Sequence, residues 1–290
     1  MIRTNSIMTT LKNVVTTSGR VPFGEEDVEM KIYPTITESG FVFVVDGVDI
    51  PVLHEHVVPM PQGYNTTVLE KDHKRVMFTE HLLSALVGFG VDSAKIELIG
   101  GNQPPFLDPC ALAFFNLIKS VGISSRKGNK KTIIVDKEIV FGDSGSYAII
   151  SPSINKKMTI ICDYPIPIGV QYFSINLSDP EVYFSQIAWA RTFIRIQMGR
   201  EEWDARRRIV RFLPEDIKKS PIPVADKDGK WIVGPTASDE PARHKILDLI
   251  GDLAVLGIQI EGDIFVVRPG HDFNRKWVKY LGGLIEKNEV

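Results

Sequence analysis

Three titratable side chains recur at four-residue intervals in SDEPARHKILDLIGDL, residues 238–253: His244, Asp248 and Asp252. In a helix, side chains four residues apart return to one face, within about 6 Å of each other. An imidazole and a carboxylate at that spacing form a two-toothed grip on a metal ion, and they form a surface ion pair equally well. Between them stand Ile246, Leu247, Leu249 and Ile250, apolar residues that belong against a sheet. Ser238 is a plausible N-cap, and Pro241 falls early in the helix, where its missing N–H costs nothing. Charges carried inside by such a helix need partners, because unpaired burial is too costly. Lys245 projects about 100° away from the stripe, so a cation is expected from elsewhere.

A second juxtaposition lies in TEHLLSAL, residues 79–86, where Glu80 precedes His81 at the head of an apolar helical pattern. Taken alone, Glu80 is an ordinary first-turn carboxylate favoured by the helix dipole, and His81 a histidine at the core edge. Zinc would connect the two stretches. It takes nitrogen and oxygen ligands, and a catalytic site supplies three while leaving one position for water. His244 and Asp248 give two ligands and His81 is the candidate third, with Glu80 beside it as general base toward the bound water. The remaining histidines differ in context. His54 and His56, in HEH, make a rival pair on one face of a strand, with Glu55 turned away; His73, in EKDHKR, sits in a polar turn. His271, in RPGHDFN, follows a strand and a Pro-Gly turn, where strand ends present catalytic groups.

Positioning these residues requires strands and helices in alternation. VEMKIYPTI, GFVFVV, KIELIG, KTIIVD, YAIISP, KMTIICDY and DIFVVRPG have the pattern of strands. Helical periodicity covers 79–88, 109–121 and 240–256, with a further helix at 179–190. SSRKGNKK, between Ile123 and Thr132, is polar and basic, and divides the chain into domains at 1–123 and 132–290. EHLLSALVGFGVDSAKIELIG and RHKILDLIGDLAVLGIQIEGDIFVVRPG both run helix, glycine turn, strand, a faint internal echo. In FIRIQMGREEWDARRRIVRF, Arg206, Arg207 and Arg208 suit a solvated face better than a nucleic-acid patch.

Composition narrows the function further. At 290 residues, 43% hydrophobic and 24% charged, the chain has material for one large or two medium cores. The balance of 34 basic and 36 acidic side chains gives no general attraction for phosphate backbones, so nucleic acid is not an expected partner. Cys110 and Cys162 allow at most one bridge and lack metal-site spacing, which fits a reducing cytosol. MIRTNSIMTTLKN lacks a signal peptide's apolar region, and no integral membrane segment is expected; the expected location is cytoplasmic.

Taken together, TLKNVV, NTTVL (65–69), TEHLLSALVGFGVD, PPFLDPCALAFFNLIKSVGI, ARTF (190–193), RHKILDLIGDLAVLG and GHDFN (270–274) resemble the zinc-dependent UDP-3-O-acyl-N-acetylglucosamine deacetylases of lipid A synthesis. The resemblance implies an α+β fold of two similar domains, each a layer of helices packed on a β-sheet, with the active site between them. It implies that His81, His244 and Asp248 hold Zn2+ and that Glu80 is the general base. His271 matches the family's general acid, held by Asp252. Lys245 and Thr192 match its oxyanion-stabilising positions, and Phe193 and Tyr164 its substrate-binding ones. The implied substrate is a small acylated sugar nucleotide, hydrolysed to acetate and a free amine.

Departures from the family pattern concentrate away from the metal residues. RVPFGEE (20–26) replaces G-L-H-S-G and loses its histidine, while Asp108, Pro109, Cys110 and Ala111 stand for D-G-S-A. KKSPIPVADKDGKW (218–231) replaces a glycine-rich segment, Ser151 takes a lysine position near the substrate phosphates, and 194–216 matches the acyl-chain passage poorly. Two alternatives follow: a paralogue with the same zinc chemistry on another acylated amine, and a silent binder of nucleotide sugar or lipid. A pure binder has no need of Glu80, Lys245 and His271 together.

Overall fold

Alternation of apolar and polar residues builds two five-stranded sheets of the same design. A computed structural model describes residues 2–35, 40–62, 64–177, 179–287 and 289; Ile36, the last residue of the expected strand VEMKIYPTI, lies outside them. In the first sheet the order is Val15–Arg20, Asp27–Pro34, Ser93–Ile99, Gly40–Val45, Val48–Pro51. The second runs Ile139–Asp143, Ser146–Ser151, Asp263–Val267, Lys157–Asp163, Val170–Asn176. In each, two hairpins are followed by a helix, and the strand after the helix inserts centrally, antiparallel to one hairpin and parallel to the other. The faint echo between 80–100 and 243–270 thus corresponds to a repeated topology.

The helices among the described residues are α1 (Glu80–Phe89), α2 (Leu112–Val121), α3 (Pro180–Tyr183), α4 (Arg200–Ile209), α5 (Glu240–Leu253) and α6 (His271–Glu286). Gly90 closes α1 in the left-handed region, φ 87°, a conformation glycine adopts without penalty. Asp108 starts α2 by accepting the N–H groups of Cys110 and Ala113. The segment expected as a helix at 179–190 is α3 followed by a wider π-helical turn, Phe184–Ala188. The residue preceding α5 is Asp239, whose carboxylate grips Arg243, so Ser238 is not the N-cap. In α5 every residue except Arg243 is buried.

SSRKGNKK, the expected division between the domains, is itself part of a strand. It lies within Ile123–Ile134, antiparallel to Ile2–Leu11 and parallel to Gln259–Glu261. Arg126, Lys127 and Lys131 stay in water while Lys130 turns to the buried Asp92, and Gly128 leaves room for the Met8 side chain, whose Sδ would lie 2.3 Å from any Cβ there. α4 carries a smaller core of Trp203, Val210, Leu213, Ile222 and Val224. Arg206 pairs with Glu202 and Arg207 with Asp204 on its outer surface. Cys110 and Cys162 are both buried and free, and burial pushes the Cys162 thiol up to about 12. No described helix is long and apolar enough to cross a membrane.

α1 and α5 pack with backbones nearly touching. A Cβ on Gly251 would lie 2.0 Å from the Glu80 carbonyl oxygen, so only glycine permits the crossing. This close approach sets the residues of TEHLLSAL against those of RHKILDLIGD.

Candidate active site

His81 on α1 faces His244 and Asp248 on α5. Their ligand atoms all lie within 4.8 Å of one another. Asp248 Oδ1 stands 3.3 Å from His244 Nε2 and 3.5 Å from His81 Nε2, and the two rings meet edge to face at 5.2 Å. His244 and Asp248 are each only 2% exposed, so they are not the surface ion pair that their spacing also allowed. The carbonyl of Ala190 accepts from His244 Nδ1 at 3.0 Å, which leaves the Nε2 lone pair free to ligate. Burial drives the His244 pKa down to about 3, holding the ring in the neutral form a ligand requires.

Among the described residues the buried Asp248 Oδ1 has no hydrogen-bond partner, although its other oxygen is satisfied by Lys245 Nζ at 2.7 Å. Burial disfavours its charge, but His244, Lys245, His271 and His81 hold its pKa well below the ordinary value. An anionic oxygen left unbonded between two imidazole nitrogens fits a cation. Lys245 reaches this carboxylate even though its Cβ leaves the helix about 100° from the His244 direction, because the four-carbon stem bends back. Burial pulls its pKa down and Asp248 more than restores it, so the ammonium stays charged.

Around this cluster sit two further acid–base groups. Glu80, 4% exposed, is no surface carboxylate: desolvation raises its pKa, partly opposed by His271 and His81. His271 is the first residue of α6, its Nε2 4.0 Å from Glu80 Oε1 and 3.7 Å from Asp248 Oδ2. Its Nδ1 meets Asp252 Oδ2 at 2.9 Å. Desolvation lowers the His271 pKa, but Asp252, Asp248 and Glu80 outweigh it and hold the value at about 9.

Several supports went unread in the sequence. Thr66 Oγ1 donates to Glu80 Oε2 at 2.9 Å and accepts the Phe78 N–H at 2.9 Å. The Thr67 hydroxyl donates to Asp252 Oδ1, and Asn274 Nδ2 donates to Asp252 Oδ2 at 2.7 Å. Thus NTTVL ties the carboxylate on α1 to the one on α5, and Asn274, three residues after His271, adds a second grip from α6. Arg191 clasps the buried Glu240 through Nε at 2.7 Å and through Nη2 at 3.0 Å, fixing the 190–193 turn.

Thr192 lies on this turn, its N–H bonded to the Pro109 carbonyl at 2.9 Å, which places DPCA directly beneath it. Phe193 packs edge to face against Tyr164 at 5.4 Å, 6.2 Å from the His244 ring and 5.7 Å from Lys245 Nζ. HEH is not a strand: it forms a tight 3-10 turn in which His54 contacts Glu286 of α6 at 3.1 Å and His56 contacts Glu55 at 3.4 Å. His73 is exposed in a turn, and Ser151 bonds Glu138 at 3.2 Å.

A family model described as LpxC, UDP-3-O-acyl N-acetylglycosamine deacetylase, matches residues 8–282. The chain is 31% identical over 278 residues to the UDP-3-O-acyl-N-acetylglucosamine deacetylase of Solibacter usitatus, covering 95% of this chain and 91% of that one. It is 32% identical over 263 residues to the Syntrophus aciditrophicus protein of the same name, covering 88% and 79%. It is 30% identical over 311 residues to the bifunctional enzyme LpxC/FabZ of Chlorobaculum tepidum, covering 97% of this chain but 65% of that longer protein.

Proposed function

Because this chain belongs to the UDP-3-O-acyl N-acetylglycosamine deacetylase family, we propose that it hydrolyses the acetamide of UDP-3-O-acyl-N-acetylglucosamine, releasing acetate and a free amine for lipid A synthesis in the cytoplasm. In this reading the halves at 1–123 and 132–290 each contribute one helix to the centre. His81, His244 and Asp248 would hold zinc. A zinc ion there supplies Lewis acidity, lowering the pKa of water and polarising the amide carbonyl.

The chain's own groups then divide the proton work. Glu80 takes a proton from the attacking water, its carboxylate oriented by Thr66. The Lys245 ammonium and the Thr192 hydroxyl stabilise charge developing on the carbonyl oxygen, more than they stabilise the flat amide. His271, held protonated by Asp252, gives its proton to the departing nitrogen, since an amine leaves poorly as an anion. Phe193 and Tyr164 provide an aromatic wall for the substrate beside Lys245.

The orphaned Asp248 Oδ1 between two histidine nitrogens is the observation that carries this proposal. Acetate release from UDP-3-O-acyl-N-acetylglucosamine, compared between the zinc-loaded wild type and Glu80→Ala, tests it. The variant should retain about one zinc per chain and lose nearly all turnover; equal rates would remove Glu80 from the mechanism.

A second substrate assignment, the same chemistry on another acylated amine, is favoured by contact between two of the departing segments. Phe23 of RVPFG pairs as an isolated bridge with Val210, and the Gly24 N–H reaches the Ile209 carbonyl at 3.4 Å. Phe106 stacks on Phe212 at 4.0 Å, and Arg211 pairs with Glu25. Two of the departing segments, RVPFGEE and 194–216, therefore form one unit. Acetate release from a panel of N-acetylated amines separates the two substrates.

A further inference from the structure

On α5, Ile250 and Leu253 point roughly 140–200° away from Asp248 at 100° per residue, so they face away from the catalytic cluster, and Ala254 follows in the 3-10 turn after the helix. Together with Phe41, Val87, Met158 and Ile264 they line a cavity of about 260 Å³ between the two sheets. That volume exceeds the roughly 150 Å³ at which a dry apolar cavity already admits a benzene-sized guest. None of the residues assigned to the reaction lines it.

Charge at its mouth is unbalanced. Lys130, Lys131, Lys156 and Lys157 line the cavity against two carboxylates, Asp92 and Asp179. Asp92 is already bound by Lys130 Nζ at 2.7 Å and by Gln259 Nε2 at 3.0 Å, and Asp179 accepts the Glu181 N–H at the start of α3. The nearby Glu261 is paired with Arg3. Lys156 reaches only the neutral Gln259 oxygen, at 3.5 Å, and among the described residues no carboxylate lies within salt-bridge distance of it. Desolvation, then the charge of Lys130, lowers its pKa. An apolar chamber capped by an ammonium in excess suits a guest with a greasy tail and one negative charge.

We propose that this cavity binds a single-chain acyl carboxylate, its tail against Phe41, Ile250 and Leu253 and its head at Lys156, in a site separate from the catalytic one. Dodecanoate is the probe, titrated calorimetrically below its micelle concentration into the intact zinc-loaded protein. One dodecanoate should bind per chain, and dodecyltrimethylammonium should bind at least about tenfold more weakly, as expected where one charge-assisted contact is worth about 1.5 kcal/mol or more. Lys156→Glu, a surface change, should weaken dodecanoate to a similar degree while leaving zinc content and acetate release without dodecanoate unchanged. Met158→Trp should fill the chamber and abolish binding. Undiminished dodecanoate binding in Lys156→Glu, equal binding of the cationic amphiphile, or displacement of dodecanoate by the sugar-nucleotide substrate with both variants unaffected would each overturn the proposal.

Discussion

His271 and Asp252 meet through Nδ1 and Oδ2 at 2.9 Å, both buried, with Asn274 bonding the same oxygen at 2.7 Å. The carboxylate keeps His271 protonated with a pKa of about 9, and the acid role proposed for it requires that proton. Activity should therefore fall as pH rises through that value, or somewhat below it once a cation occupies the neighbouring Asp248. Asp252→Asn removes the largest influence raising the pKa, so the alkaline limb of the kcat/KM profile should move toward neutrality. A limb that stays in place in the variant would detach Asp252 from the acid.

Thr66 holds Glu80, the proposed general base. Its hydroxyl bonds Glu80 Oε2 at 2.9 Å, so Thr66→Val frees that carboxylate to rotate without removing it. Turnover should drop about tenfold, the smaller end of what outer-sphere partners contribute, with KM little changed. Thr66→Ser should recover most of the loss. Equal kcat in wild type and Thr66→Val would show that Glu80 is aimed by other contacts.

Metal removal should reveal a structural role as well as a chemical one. The cluster joins α1 to α5, so zinc held there as proposed would bind the folded chain and not the open one, and would stabilise it by mass action. At a hundredfold excess over Kd that is about 2.7 kcal/mol, or several degrees in Tm. Chelator should lower Tm by this amount and added zinc restore it, whereas His244→Ala should be indifferent to both. Differential scanning fluorimetry reads the difference.

Much of this site was legible because helical spacing is rigid: His244, Asp248 and Asp252 had to share a face wherever α5 lay. What spacing could not give was the behaviour of flexible or distant groups. Lys245 looked misdirected at its Cβ, yet its stem folds back to Asp248. α6 escaped notice because GHDFN reads as a turn and Gly282 and Gly283 weaken the pattern; Gly282 is there because the His54 ring occupies the place of a Cβ. SSRKGNKK is too hydrophilic to bury and reads as a boundary; that it is a strand could not be foreseen, since its partner strands come from residues 2–11 and 259–261, far away in sequence. Long-range pairing of that kind leaves no local signal.

Gly251 marks the point where α1 and α5 approach most closely. Alanine there would drive its Cβ to 2.0 Å from the Glu80 oxygen, and a backbone atom cannot rotate away. The helices must separate, at a cost of about 1–3 kcal/mol or more. Because the proposed metal ligands lie on both helices, Gly251→Ala should lose zinc affinity and Tm together, in contrast to Thr66→Val. Calorimetric zinc titration alongside thermal unfolding would expose the case where only one of them changes.

Arg191 and Glu240 supply the last test, one that separates charge from geometry. Glu240 is fully buried, and its two oxygens take Nε and Nη2 of Arg191, whose Nη1 also reaches the Pro221 carbonyl at 3.1 Å. Arg191→Leu leaves a buried carboxylate without its cation, a loss of about 3–5 kcal/mol. Lysine restores charge but lacks the planar fork that meets both oxygens, so Arg191→Lys should recover only part of the stability. The same clasp fixes the turn bearing the Ala190 carbonyl, which sets the His244 tautomer. Arg191→Lys should therefore bind zinc more weakly even where its Tm is largely regained. Zinc affinity that follows Tm through both variants would mean the turn orients nothing beyond its own fold.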